Sequence, residues 1–139
     1  LKLFGSEVRV VGPRTLLPTA ADSLGVRVFD DPKTALEGAD VVMVLRIQQE
    51  RLEGALLPTL REYSRTFGIS QRMIAHAKPD AIVMHPGPMN RGVEIESVVA
   101  DGDRSVVLDQ VEAGVAVRMA LLYLFAGEGA ESLAVEGVD

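Results

Sequence analysis

Cysteine and tryptophan are absent from this sequence of 139 residues, which holds only two tyrosines and four phenylalanines. Without cysteine the chain forms no disulfide, offers no thiolate to a metal and has no cysteine nucleophile. Because aromatic side chains are scarce, the core must be built mainly from Val, Leu and Ala, which suits a buried parallel sheet. No apolar run approaches the length of a membrane span, and the first residues do not match a signal peptide, so we expect a cytoplasmic protein.

The charge balance is acidic, with 20 Asp and Glu against 14 Lys and Arg and a net charge of −6. There is no basic run and no interleaving of basic with aromatic residues. We therefore expect neither nucleic acid nor an anionic membrane surface as a partner. The length fits one domain of ordinary globular composition.

Four short apolar runs alternate with segments of helical character. The runs at residues 8–11, 26–29, 41–45 and 81–84 are rich in Val or Ile and are bounded by turn residues, which predicts buried strands. Helices are predicted at residues 16–24, 33–37, 70–77 (with Ser70 as N-cap) and 110–125. This order predicts an α/β fold with a doubly wound parallel sheet, a Rossmann-like three-layer αβα arrangement. The segment 49–69 is long and irregular, which is typical of a functional loop.

Residues 1–5 resemble the last turn of a helix that ends at Gly5 and has no beginning here. A doubly wound sheet is normally centred on its first strand. We therefore expect the four predicted strands to flank the position of a central strand that this sequence lacks.

Arg46 and Gln48 follow the third predicted strand. Side chains two residues apart on an extended chain share a face, and ligands of open α/β sheets bind at the carboxyl ends of the strands. The guanidinium of Arg46 suits a carboxylate, and the amide of Gln48 adds a donor and an acceptor. This pattern predicts a site for a small carboxylate with a further polar group. The alternative is that Arg46 only forms a surface ion pair with Glu50 or Glu53.

The fourth predicted strand ends in His85-Pro86-Gly87-Pro88. The two prolines make the turn rigid and remove two backbone donors, which leaves carbonyls that could accept hydrogen bonds from a substrate NH₂ group. A stiff end to the strand, without any ligand, explains the same residues equally well. His85 could act as a base, although a fixed hydrogen-bond partner is the more common role for a histidine at a strand end.

Three motifs carry a resemblance to the aspartate carbamoyltransferases: RIQQER at residues 46–51, HPGPMNRGVEI at residues 85–95, and QVEAGVAVRMALL at residues 110–122. The resemblance covers nearly the whole chain, and the motifs stand in the family's order. It implies that Arg46 binds the side-chain carboxylate of L-aspartate with Gln48 beside it. It also implies that Glu50 orients Arg46.

The resemblance also assigns the turn. The carbonyls of Pro86, Gly87 and Pro88 would receive the NH₂ group of carbamoyl phosphate, and the Gly87–Pro88 bond would be cis. Arg51 and His85 would support the site without touching the substrates.

The implied reaction is direct attack of the aspartate α-amine on the carbamoyl carbon, which gives N-carbamoyl-L-aspartate and phosphate in de novo pyrimidine biosynthesis. No metal or organic cofactor is implied. The family's phosphate-binding and carbonyl-polarising residues belong to an N-terminal domain that this sequence lacks. Residues 1–139 are therefore expected to be an aspartate-binding domain, incomplete at its N-terminal side, with no catalytic residue of its own and no activity alone.

The resemblance further implies a homotrimer with active sites shared between chains. The Gly-Pro-Met-Asn-Arg form of the second motif is similar to a bacterial branch that often assembles with dihydroorotase or an inactive relative.

Two enzyme alternatives are less favoured. Ornithine carbamoyltransferases carry Ser-Met-Gly in place of residues 46–48 and a cysteine in the turn after the histidine, and neither is present. A dinucleotide-binding domain would need an acidic residue after the first strand, where Gly12-Pro13-Arg14 stands instead. A non-catalytic carbamoyltransferase-like scaffold in a pyrimidine-pathway assembly stays open.

Overall fold

The structure is a computed structural model that describes residues 1–48 and 59–126. Its four strands are β1 (Arg9–Val11), β2 (Arg27–Phe29), β3 (Val41–Met43) and β4 (Ile82–Met84). The α-helices are α1 (Pro32–Leu36), α2 (Leu60–Phe67), α3 (Gln71–Ile74), α4 (Ser97–Ala100) and α5 (Val107–Ala126). Short 3₁₀ helices occur at Lys2–Phe4, Arg14–Leu16 and Ala21–Leu24.

The strands form two parallel pairs. β1 pairs with β2 so that Val10 lies opposite Val28, and β3 pairs with β4 so that Val42 lies opposite Val83. All four predicted strands are confirmed, each one or two residues shorter than its apolar run. Within the described part of the chain the two pairs are separate sheets, which agrees with the predicted split of the strands. That a further strand lies between them stays a prediction.

The hydrophobic core lies around the second pair of strands. Val83 is fully buried, and Val42 is 7% exposed. They pack with apolar residues of the surrounding helices and loops: Leu36, Val44, Ile69, Ile74, Ala77, Ala81, Ile95, Val99 and Ala100. β1 is only half-buried, and it is tied to α1 by Arg9, whose guanidinium donates to the backbone oxygens of Ala35 and Glu37. The core therefore holds β3 and β4 rigidly, and with them the segments that follow.

Two of the helix predictions are confirmed by their caps. The side chain of Asp31 accepts a hydrogen bond from the Thr34 N–H at the start of α1, and Pro32 occupies its first turn. Ser70 caps α3 by accepting from the Met73 N–H, although α3 ends at Ile74, three residues earlier than predicted.

The predicted helix at residues 16–24 is wrong. Two 3₁₀ helices replace it, because Pro18 lacks an N–H and disfavours helical geometry in Leu17, which is extended. The segment 49–69 is also not irregular throughout, since it contains α2. Thr59 and Glu62 form a capping box at the start of α2. Residues 49–58 lie outside the described residues.

The predicted C-terminal helix is confirmed as α5, which begins at Val107 and has 20 residues. Most of its apolar side chains are exposed, and Leu108 and Phe125 are 83% and 72% accessible. The apolar side chains of α5 therefore lie largely uncovered within the described part of the chain. None of the described helices combines the length and apolar character that a membrane span requires.

Candidate functional site

A cavity of about 590 Å³ lies where β1, β3 and β4 end. Its walls are residues 10–13, 16–17, 45–48 and 86–88, together with Tyr63 of α2. The chain leaves each of these strands at its carboxyl end, which is where open α/β sheets bind ligands. The core beneath β3 and β4 fixes two of the walls relative to each other.

Arg46 and Gln48 both line this cavity, and so do their neighbours Leu45 and Ile47. Ile47 between them is 6% exposed and anchors the segment, whereas Arg46 is half-buried and Gln48 is exposed. Glu50 and Arg51, which we expected to support this segment, lie outside the described residues.

The turn at residues 86–88 lines the same cavity. The Gly87–Pro88 bond is cis, as predicted. Gly87 has a φ of 63°, a conformation that residues with a Cβ rarely adopt, so glycine suits this position. Its N–H donates to Nδ1 of His85 at 2.9 Å. Because Pro86 and Pro88 have no N–H, these three residues offer no free backbone donor to the cavity.

His85 does not reach the cavity, because its side chain is fully buried. Its Nε2 lies 3.5 Å from Oε1 of Glu94, whose side chain is buried as well. The same oxygen of Glu94 accepts from the Asn90 N–H, and the Asn90 side chain donates to the backbone oxygen of Ile47 at 3.2 Å. A chain of polar contacts thus joins the turn to the segment that carries Arg46 and Gln48.

Sequence reasoning missed Glu94, Asn90 and Tyr63. Glu94 and Asn90 stand in the second motif, but nothing in their spacing reveals that the carboxylate is buried.

Tyr63 stacks on Phe67 with ring centroids 5.5 Å apart. Burial, and then the charge of Glu94, raise the pKa of the Tyr63 phenol above its usual value, so the group stays protonated as a hydrogen-bond donor. The capping box at Thr59 is the signal that could have identified α2 and hence placed Tyr63.

The cavity combines two kinds of recognition group. Arg46 supplies a cationic, fork-shaped donor that matches a carboxylate, with the amide of Gln48 beside it. The turn at residues 86–88 supplies acceptors for N–H groups. Such a site suits a small molecule, or two adjacent ones, with a carboxylate at one end and an NH₂ group at the other.

Comparison with known proteins identifies relatives that match most of this chain. The model of the aspartate/ornithine carbamoyltransferase family, Asp/Orn binding domain, matches residues 1–125. The aspartate carbamoyltransferase catalytic subunit of Sorangium cellulosum is 66% identical over 94% of this chain. The chain spans only 41% of that relative's length.

Solved structures agree with this relationship. Ornithine carbamoyltransferase from Pyrococcus furiosus matches 86% of this chain and 41% of its own, with a TM-score of 0.71 and 30% identity. Aspartate transcarbamoylase from Trypanosoma cruzi, in complex with phosphate, matches 84% of this chain and 42% of its own, with a TM-score of 0.66 and 26% identity. The chain therefore belongs to the aspartate/ornithine carbamoyltransferase family, within whose Asp/Orn binding domain its matched residues lie.

Proposed function

We propose that residues 1–139 form the aspartate-binding part of an aspartate carbamoyltransferase, which makes N-carbamoyl-L-aspartate for pyrimidine synthesis. The observation that carries the proposal is that Arg46 and Gln48 line one cavity together with the acceptor turn at residues 86–88. The name and the 66% identity of the Sorangium cellulosum relative support aspartate as the amino-acid substrate. Family membership removes the dinucleotide-binding alternative.

In the proposed mechanism Arg46 holds the side-chain carboxylate of L-aspartate, and Gln48 hydrogen-bonds beside it. The carbonyls at residues 86–88 hold the NH₂ group of carbamoyl phosphate. The α-amine attacks the carbamoyl carbon, so that a C–N bond forms, the C–O bond to phosphate breaks and the amine loses a proton. These residues contribute by positioning, which turns a bimolecular encounter into a step within one complex.

Other parts of the enzyme supply the remaining groups. We propose that the longer protein binds the phosphate and stabilises the developing oxyanion with residues outside this sequence. The exposed apolar side chains of α5 support packing against that part of the protein, because apolar surface of this extent is seldom left in water. We further propose a cytoplasmic homotrimer in which neighbouring chains complete each other's sites, with dihydroorotase or an inactive relative as the partner in a larger assembly.

An acceptor competition tests the proposal. The complete protein is given carbamoyl phosphate with equal concentrations of L-aspartate and L-ornithine, and the products are separated by mass spectrometry. We expect N-carbamoyl-L-aspartate in large excess, and no turnover by residues 1–139 alone. Predominant citrulline would instead support an ornithine carbamoyltransferase, as in the Pyrococcus furiosus neighbour. A complete, folded protein that makes neither product would support the non-catalytic scaffold.

A further inference from the structure

The turn at residues 86–88 is an acceptor-only surface. Pro86 and Pro88 have no N–H, so Gly87 carries the only backbone donor of the three residues. That N–H donates to Nδ1 of His85, two residues earlier, at 2.9 Å. As long as this bond persists, the backbone of these three residues can offer a ligand in the cavity carbonyl oxygens but no N–H. A free Gly87 N–H would instead offer a hydrogen bond to phosphate or carboxylate oxygens.

The bond to Gly87 requires one tautomer of His85. A ring nitrogen that accepts a hydrogen bond carries no proton, so the proton of the neutral imidazole must lie on Nε2. Nε2 faces Oε1 of Glu94 at 3.5 Å. A carboxylate beside Nε2 favours the proton on that nitrogen, because the other tautomer would turn a lone pair toward a negative charge.

Glu94 is itself held in place. Its Oε1 accepts from the Asn90 N–H, and its backbone oxygen accepts from the Ile69 N–H at 2.9 Å. Asn90 in turn donates to Ile47, between Arg46 and Gln48. The carboxylate therefore lies at a junction between both walls of the site.

Packing alone does not explain this pair. Both side chains are fully buried, yet Nε2 of His85 and Oε2 of Glu94 have no hydrogen-bond partner within the described residues. An apolar pair of similar volume would fill the same space without an incompletely paired carboxylate. The polar character of the pair indicates instead a role in positioning the turn at residues 86–88.

We propose that Glu94 and His85 are positioning residues for the turn. Glu94 fixes the tautomer of His85 in which Nδ1 accepts a hydrogen bond from the Gly87 N–H. This keeps the turn selective for a ligand group that donates hydrogen bonds from N–H. The inference rests on the proposed function, in which that group is the carbamoyl NH₂.

Two amide substitutions in the complete enzyme, each of which can replace one of the two ring nitrogens, separate the roles of those nitrogens. In His85→Asn the side-chain oxygen of the asparagine can replace Nδ1 as the acceptor for the Gly87 N–H, because asparagine commonly accepts from the N–H two residues later in turns. The amide of His85→Gln reaches toward Glu94 but leaves Gly87 unpaired. We expect His85→Gln to raise the KM for carbamoyl phosphate about three- to tenfold, the usual effect of one hydrogen bond, with a smaller change for L-aspartate. His85→Asn should recover a substantial part of that loss.

Two controls make the comparison sharp. His76→Gln is the same substitution at the exposed histidine near the end of α3, and it should leave kinetics unchanged. Thermal melting of each variant shows whether a kinetic loss follows from lost stability. Equal impairment of His85→Asn and His85→Gln, at equal melting temperatures, would overturn the positioning role of Nδ1.

The tautomer of His85 can be determined by NMR, independently of any activity measurement. In the complete protein with ¹⁵N-labelled histidine, the NMR signals of His85, assigned from their loss in His85→Asn, should show a proton on Nε2 and none on Nδ1. Glu94→Gln keeps the side-chain volume but removes the charge, and it should shift the tautomer mixture toward Nδ1–H. A wild-type His85 with its proton on Nδ1 overturns the inference even if the enzyme makes carbamoyl aspartate. If His85 has the expected tautomer but the protein does not make carbamoyl aspartate, only the proposed function is refuted.

Discussion

Replacing Arg46 by alanine in the complete enzyme should impair the use of L-aspartate selectively. Arg46 lines the cavity half-buried, so its guanidinium is partly shielded from water and its interaction with a carboxylate is stronger than at an open surface. Loss of a charge-assisted bidentate contact costs about 1.5–3 kcal/mol, which corresponds to a decrease of about ten- to a hundredfold in kcat/KM for L-aspartate. The KM for carbamoyl phosphate should change little, because its phosphate is proposed to bind elsewhere.

Initial rates of phosphate release, measured against each substrate in turn, give both constants. Arg46→Lys should fall between the wild type and Arg46→Ala, since lysine keeps the charge but loses the planar fork. Arg72→Ala is the matched control, because Arg72 is exposed on α3 and does not line the cavity. Unchanged aspartate kinetics in Arg46→Ala would show that Arg46 is only an ion-pair partner on the surface. An equal loss for both substrates would show that it supports the fold of the site rather than one ligand.

Three further predictions concern stability and assembly. Gly68→Ala should lower the melting temperature, because an added Cβ would clash with the backbone oxygens of Ser64 and Val93, and overpacking of this kind costs about 1–3 kcal/mol. An unchanged calorimetric transition would refute this. The hydrogen bond from Arg91 lowers the pKa of Asp101, so the pair stabilises the fold above the usual pKa of aspartate and loses this effect as the pH falls through the lowered value. The melting temperature of Asp101→Asn should therefore lie below that of the wild type near pH 6 and approach it only as the pH falls below about 4, and a constant difference would contradict the assignment. Residues 1–139 alone should bind an apolar dye through α5 and should self-associate, as measured by light scattering. A monomer that binds no dye would show that α5 needs no packing partner.

The strands could be predicted from the sequence because their signal is local. Each is a short run rich in Val or Ile, and three of the four are followed within two residues by glycine, proline or aspartate. Short length, β-branched residues and such flanking residues together favour a buried strand over a helix. That Arg46 and Gln48 lie near the carboxyl end of a strand could be predicted for the same reason. The expected alternation of faces does not separate them from their neighbours, since Leu45 and Ile47 also line the cavity.

The helices show where this reasoning ends. Pro18 was a visible reason to doubt a helix at residues 16–24, and turn chemistry overrode the apolar pattern there. The polar sequence of α2 has few apolar residues to mark its period, so only the capping box at Thr59 and Glu62 identifies it.

Burial of Glu94 could not be predicted, because charged residues are almost always exposed and no local pattern marks the exception. The carboxylate lies against His85 and the Asn90 N–H, and the Asn90 side chain in turn donates to the segment after β3. The sequence therefore identifies groups that face a ligand more readily than the groups that hold them in place.

A crystal structure of the complete protein with N-carbamoyl-L-aspartate and phosphate tests the central claim most directly. The account predicts that the side-chain carboxylate lies within about 3.2 Å of the Arg46 guanidinium, and that the carbamoyl NH₂ lies at similar distances from carbonyl oxygens of residues 86–88. A product molecule bound outside this cavity, or one whose carbamoyl group faces away from the turn while Arg46 contacts no carboxylate, would contradict it.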